Sequence, residues 1–271
     1  MAQGATSAAD GPIRCERRGD ILLVAIDRPH KRNALDDRAI ESLHATFLAL
    51  DPAVRAVVLH GEGPHFSAGL DLSEVAERDV TAGVWHSRMW HRAFEAIEFG
   101  RTPVVSVLKG AVIGGGLELA AATHVRVAEA SAYYALPEGQ RGIFVGGGGS
   151  VRLPRLIGVS RMMEMMLTGR VYGAQEGLAL GLSHYVTPEG EGLAKALELA
   201  QRIAGNTDLT NFALVHALPR IAEADPATGY LTEALMAAIA QGDDAAKQRL
   251  KDFLEKRAAK VVAAGSPGGT P

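Results

Sequence analysis

The stretch Gly114-Gly115-Gly116-Leu117-Glu118-Leu119-Ala120 places one carboxylate directly after three glycines and inside the first turn of a predicted helix, residues 117–123. Three glycines in a row leave the backbone free to adopt positive φ and put no side chain between its N–H groups and a ligand. The leading N–H groups of a helix have no intrahelical partner and carry a positive partial charge. Negative charge developing in a reaction could be stabilised here, with Glu118 beside it for proton transfer. The same glycines would also serve a tight strand-to-helix crossing that only permits close packing. The neighbouring stretches decide between the two.

Working outward, the glycines follow an apolar run at residues 103–108, read as a buried strand. Upstream, Ile21 to Ile26 forms another such run, closed by Asp27-Arg28-Pro29. Asp36 or Asp37 can cap a helix in which Ile40, Leu43, Phe47 and Leu48 recur at helical spacing, and a strand at residues 54–59 completes a β-α-β unit. The loop Ser67-Ala68-Gly69-Leu70-Asp71 and a helix over about 81–99 come next. Downstream, a strand at 125–128 leads to Tyr134-Ala135-Leu136-Pro137-Glu138. Strands that are continuously apolar, alternating with helices, predict a mostly parallel sheet covered on both faces. In such sheets ligands sit at the loops after the strands' carboxyl ends, and the glycine stretch is one of these.

Beyond Gly146-Gly147-Gly148-Gly149 the pattern turns helical, at 150–156, 160–167 and 174–181, with a short strand at 184–186. It is helical throughout 191–262 except near Gly205-Asn206 and Asp225-Pro226. The predicted organisation is a tail at 1–11, an α/β core at 12–205, a helical region at 206–262 and a tail at 263–271. The Met162-Met163 and Met165-Met166 cluster reads as adaptable core filler or an interface.

Composition removes several function classes. The 271 residues are 47% hydrophobic and 22% charged, as in an ordinary globular protein, and a net charge of -3 gives no electrostatic case for nucleic acid or an anionic membrane. The single Cys15 excludes an intrachain disulfide and suggests a reducing compartment. Residues 1–11 resemble neither a signal peptide nor a transit peptide, and no apolar run reaches membrane-spanning length, so a cytoplasmic location is expected. The dinucleotide and phosphate-loop fingerprints are absent, as is the Gly-x-Ser-x-Gly elbow of a serine esterase. His86 and His91, five residues apart on one helix, point to different faces, so no metal site is expected. The basic group Arg28, His30, Lys31 and Arg32 fits either a phosphate contact or plain surface.

Two constellations remain. The loops 67–71 and 114–118 each follow an apolar strand, so one N–H from each could converge on a single oxygen as an oxyanion hole. Glu118 and Glu138 each lie beside a glycine-rich stretch and could divide general acid and general base work.

Taken together, Asp27-Arg28-Pro29 with Asn33-Ala34-Leu35, Phe66-Ser67-Ala68-Gly69-Leu70-Asp71-Leu72, the glycine stretch, Pro137-Glu138, and Leu167-Thr168-Gly169-Arg170 with Ala174-Gln175-Glu176 resemble, in order and spacing, the crotonase superfamily of enoyl-CoA hydratases and isomerases. That resemblance implies a crotonase-like spiral of ββα units with a C-terminal helical trimerisation region, in a homotrimer or a dimer of trimers. It also implies an acyl-CoA substrate, no separate cofactor because coenzyme A is part of that substrate, and a setting in fatty-acid metabolism. Carried over by position, Leu70 and Gly115 would supply the oxyanion-hole N–H groups, Glu118 and Glu138 the catalytic pair, and Gly146 the water-positioning backbone. Lys31, Arg32, Ala34, Ser67 and Ala68 would line the coenzyme A path, and Lys256 would approach its phosphates. The implied reaction is hydration of a trans-2-enoyl-CoA. Δ3,Δ2-enoyl-CoA isomerase, a specialised acyl-CoA hydrolase or lyase, and a non-catalytic acyl-CoA- or RNA-binding role are the alternatives. Val145 replaces the usual Pro before the second glycine cluster, Gly139-Gln140-Arg141 replaces more apolar residues, and Ala258-Ala259-Lys260 lacks the usual Pro-x-Phe ending.

Overall fold

A computed structural model describes residues 11–72 and 78–255 of the chain. Lys256, residues 1–10 of the predicted tail at 1–11, and the predicted tail at 263–271 lie outside the described residues. Two units are distinguished, residues 1–206 and 207–271.

The first unit opens on a hairpin of β1 (Ile13–Arg18) and β2 (Ile21–Ile26), paired antiparallel from Ile13–Ile26 to Arg18–Ile21. β1 is absent from the sequence reading. Its sequence, Ile-Arg-Cys-Glu-Arg-Arg, is charged and mostly exposed because it forms the sheet edge, where charged side chains also discourage pairing with another chain. α1 (Asp37–Leu48) is capped by Asp36, whose carboxylate accepts the Ala39 N–H at 2.7 Å, and returns to β3 (Ala56–Gly61). α2 (Val80–Glu98) starts at the Asp79 cap and turns Trp90, Ala93, Phe94 and Ile97 inward.

β4 (Val104–Leu108) then bends through Lys109-Gly110 into β5 (Ala111–Ile113), which feeds α3 (Gly115–Ala121). β6 (Val125–Glu129) repeats the pattern with β7 (Tyr133–Ala135), followed by a 3-10 turn at Gly139–Arg141, α4 (Gly149–Ile157) and α5 (Val159–Thr168). β8 (Tyr172–Gly173), α6 (Ala174–Leu180), β9 (Tyr185–Thr187) and α7 (Gly192–Ala204) complete the unit.

The strands form two sheets. One has the order β1-β2-β3-β4-β6-β9, parallel from β2 onward, and the other is β5-β7-β8. This corrects the single sheet that periodicity alone predicts. Each turn of the chain gives one long strand to the first sheet and, after a sharp bend, one short strand to the second, before a helix leads on: the ββα spiral. The short strands have two or three residues, too few for a period to register. The large sheet is nonetheless covered on both faces. Val24, Ile26, Val57 and Leu59 pack towards the core shared with α1, α2 and α3, while Leu23, Val58, Val105 and Val127 pack under Ala196, Leu199 and Ala200 of α7.

The second unit is helical: α8 (Asp208–Phe212), a π-helical segment Ala213–Ala217, α9 (Leu218–Glu223), α10 (Pro226–Gly242) and α11 (Asp244–Leu254). Asp225 accepts the N–H groups of Ala227 and Thr228 and starts α10 where Pro226 sits at the first helical position. Tyr230, Leu231, Leu235 and Ile239 of α10 are exposed.

Candidate active site

The second sheet places the two glycine-flanked loops side by side. Ser67 bridges Val112 of β5: its N–H donates to Ala111 at 2.9 Å, and the Ile113 N–H donates back to Ser67 at 3.1 Å. The loop from Phe66 therefore runs along β5 into Leu70 as β5 runs into Gly115. Gly69 must be glycine, since at φ +85° a Cβ would stand 2.5 Å from the Ile113 carbonyl and 3.0 Å from the Gly115 nitrogen. Gly115 begins α3 and faces the Leu70 nitrogen, which a Cβ would approach to 3.4 Å. Among the described residues neither N–H donates to a backbone acceptor outside helices and strands. The two N–H groups thus stand on adjoining loops.

Beyond Leu70, the loop is locked from behind. Asp71 is buried, with Arg28 Nη2 at 3.0 Å and Lys31 Nζ at 2.8 Å, and Arg28 also pairs with Asp36 at 3.0 Å. Two members of the basic group seen in the sequence thus hold the fold together. Ser67 is wholly buried, its Oγ donating to the Asn33 carbonyl at 2.8 Å, and Ala34 is buried as well. Among the residues expected along the coenzyme A path, Arg32 is exposed and Ala68 lines the cavity.

Glu118 projects from the first turn of α3 into a nest of glycines. Its Oε1 accepts the N–H groups of Gly147 at 2.9 Å and Gly149 at 2.7 Å. A Cβ at Gly149 would meet the Glu118 side chain at 2.8 Å, so the loop can close over the carboxylate only without side chains. Arg152 anchors that loop, donating to the Gly147 carbonyl at 2.9 Å and to Glu98 at 2.6 Å. Burial raises the Glu118 pKa, while the Gly149 and Gly147 N–H groups and Arg152 pull it back. Gly146, the expected water-positioning residue, lies in the cavity wall beside Ser87.

Glu138 enters from the 3-10 turn. Its Oε1 lies where a Gly114 Cβ would come within 2.6 Å, and its Oε2 is buried without a protein partner. Burial pushes its pKa up to about 7; the Glu118 charge adds to this and Arg141 opposes it. Both carboxyls, both free N–H groups and Gly146 line one cavity of about 300 Å³. Its other wall comes from α2, through Gly83, His86, Ser87 and Trp90. Gly83, Ser87 and Trp90, and Gly147 and Gly149 as donors, do not stand out in the sequence, and His86 figures there only as a candidate metal ligand.

A ββα spiral with two carboxyls in one cavity defines a crotonase-fold protein. The sequence model of the family described as enoyl-CoA hydratase/isomerase matches residues 16–262. The chain belongs to the enoyl-CoA hydratase/isomerase family. It is 32% identical over 249 residues to Enoyl-CoA hydratase EchA19 of Mycobacterium tuberculosis, covering 90% of this chain and 93% of that one. A crystal structure of a Rhodopseudomonas palustris CGA009 protein superposes with a TM-score of 0.90 at 58% identity, covering 94% of this chain and 98% of the other. That of an enoyl-CoA hydratase from Bacillus anthracis superposes with a TM-score of 0.85 at 30% identity, covering 90% and 96%.

Proposed function

We propose that the chain catalyses reversible hydration of a trans-2-enoyl-CoA. The observation that carries this reading is the presence of two carboxyls, Glu118 and Glu138, in the cavity that also presents the Leu70 and Gly115 N–H groups. The thioester oxygen accepts both N–H groups, which stabilise the enolate as charge moves onto it. Glu118, whose Oε1 accepts two N–H groups that favour its ionised form, takes a proton from water as the oxygen bonds to Cβ. Glu138 gives its proton to Cα as the enolate collapses. One turnover leaves the proton on Glu118 instead of Glu138, so exchange between the pair or with solvent resets the site.

Isomerisation needs only one carboxyl to shuttle a proton, and the second carboxyl at Glu138 favours hydration over it. The two are told apart by a panel of 2-enoyl- and 3-enoyl-CoA substrates, following the conjugated thioester absorbance with free thiol release in parallel. Gain of absorbance from 3-enoyl-CoA without its loss from 2-enoyl-CoA would sink the hydratase reading. Thiol release would point to hydrolysis.

The pH dependence has a defined sign. A proton donor with a pKa of about 7 is spent above that value, so kcat/KM for hydration is expected to fall as pH rises through about 7. In the reverse, dehydrating direction Glu118 must carry the proton and Glu138 must start ionised. This form holds the same number of protons as the forward one, and hydration itself consumes none, so kcat/KM for dehydration is expected to fall over the same range. The two carboxyls titrate as a pair, so the measured midpoints belong to both. A hydration kcat/KM that stayed constant as pH rises through about 7 would overturn the assignment.

Coenzyme A enters as part of the substrate and no further cofactor is invoked. The reading also includes self-association as a trimer or dimer of trimers, supported by the exposed Tyr230, Leu231, Leu235 and Ile239 of α10, more apolar surface than a solvated helix carries. Light scattering is expected to give three or six times the chain mass of 28.5 kDa. A monomer would exclude it. A cytosolic setting agrees with the lone cysteine, and no described helix is long and apolar enough to cross a membrane.

A further inference from the structure

Besides its two carboxyls, the cavity presents three basic side chains that the hydration chemistry leaves unused. Arg78 and His86 stand on the α2 side, and Arg141 stands at the end of the 3-10 turn that carries Glu138. Arg78 and His86 are already partnered. Arg78 Nη2 lies 3.1 Å from one Asp37 oxygen and His86 Nε2 lies 2.8 Å from the other. Arg141 is different, because among the described residues its guanidinium makes no hydrogen bond or ion pair with a carboxylate. It lines the same cavity as Glu138, three residues further along the chain.

The surface between these ends is apolar, supplied by Leu70, Leu72, Trp90, Ile143 and Phe144. An alkyl tail would gain nothing from the exposed guanidinium. A terminal carboxylate would instead meet a planar, permanently charged fork that binds it through two parallel N–H bonds.

From this arrangement we infer that the acyl group ends in a carboxylate, with Arg141 as the residue that selects it; the inference rests on the hydratase reading above. The enzyme would then act on the mono-thioester of an unsaturated dicarboxylic acid. The apolar middle of the cavity sets the spacing between the double bond, held beside Glu118 and Glu138, and the charged end.

The experiment compares three six-carbon trans-2-enoyl-CoA thioesters that differ only at the far end: methyl, carboxamide or carboxylate. The carboxylate is expected to exceed both others in kcat/KM by about tenfold or more, the size of one charge-assisted hydrogen-bonded contact. Arg141→Gln is expected to bring the three within about twofold of one another, while Arg141→Lys keeps part of the preference because charge remains and the fork is lost. In the unaltered enzyme the preference is expected to shrink as salt is raised, since Arg141 is exposed and ions screen its charge. This readout stands even if a variant folds poorly.

Equal efficiency for all three tails would overturn the inference and leave the hydratase reading intact. A carboxylate preference that survives in Arg141→Gln, or an equal loss on all three tails, would also overturn the role of Arg141. Failure to hydrate any of the three would defeat the hydratase reading, and this inference with it.

Discussion

Glu118→Gln is expected to lower crotonyl-CoA hydration by about a thousandfold, within the range seen when a general acid or base is removed. The size follows from what the substitution leaves in place. A glutamine oxygen can still accept the N–H groups of Gly147 and Gly149, and the volume is unchanged, so the loop over the site keeps its supports. Only the ability to take a proton from water disappears. The loss should therefore fall on kcat with KM little altered, the signature of an interaction made in the transition state. Thermal unfolding should stay close to that of the unaltered protein, or rise slightly, because a buried carboxylate no longer has to be accommodated. Glu138→Gln should give a loss of similar order. The double variant should be little worse than either alone, since the two groups act as one unit. Near-normal hydration by either single variant would end the two-glutamate reading.

Gly69→Ala should damage both the chemistry and the fold. At φ +85° the added methyl group is strained even in open space, and here it meets the Ile113 carbonyl at 2.5 Å. That carbonyl belongs to the strand leading to Gly115, and relieving the clash means moving the two loops apart. The donors on Leu70 and Gly115 would then no longer converge. Loss of one oxyanion donor costs about 10²–10³ in kcat, and strain of this kind costs about 2–4 kcal/mol of stability. Kinetics on crotonyl-CoA and urea unfolding measure the two effects separately. Gly19→Ala is the control, because Gly19 also has positive φ, at +63°, but nothing lies within 4 Å of its added methyl. It should lose about 1 kcal/mol and no activity. If Gly69→Ala behaved like Gly19→Ala, the two loops would not be a coupled device.

Much of this architecture was legible in the sequence for identifiable reasons. α1 and α2 carry Asp caps and inward apolar stripes, and β2, β3 and β4 are nearly unbroken apolar runs, so length and pattern coincide. Glu118 and Glu138 were visible because carboxyls rarely stand against glycine clusters without a reason. The second sheet was not legible, since β5, β7 and β8 are only two or three residues long, too short for an alternation to repeat. Nor was β1, whose charged sequence looks like a loop until it is seen as an edge. The α2 wall was hidden for a subtler reason. Trp90, Ala93, Phe94 and Ile97 mark the buried stripe, while Gly83, His86 and Ser87 have the composition of a solvated face, and no helical period separates a face turned to water from one turned to a cavity. Lys31 and Ser67 carry a different lesson, for their side chains reach Asp71 and Asn33 and serve the shape of the loop.

The glycines around Glu118 divide the cavity into one side that tolerates change and one that does not. A methyl group at Gly115 would strike Trp90 at 2.6 Å, one at Gly116 the Ser67 carbonyl at 2.5 Å, one at Gly147 the Phe94 ring at 3.0 Å, and one at Gly149 the Glu118 side chain at 2.8 Å. No substitution on that side adds a group to the cavity without displacing the reacting machinery. On the other side, Leu72, Arg78, His86, Ile143 and Phe144 meet the cavity through their side chains, and these can be exchanged without touching a backbone donor. Divergence among descendants of this chain, natural or selected in the laboratory, should therefore accumulate on the α2 and 143–144 side. New acyl groups could be gained there while the proton-transfer step is inherited unchanged.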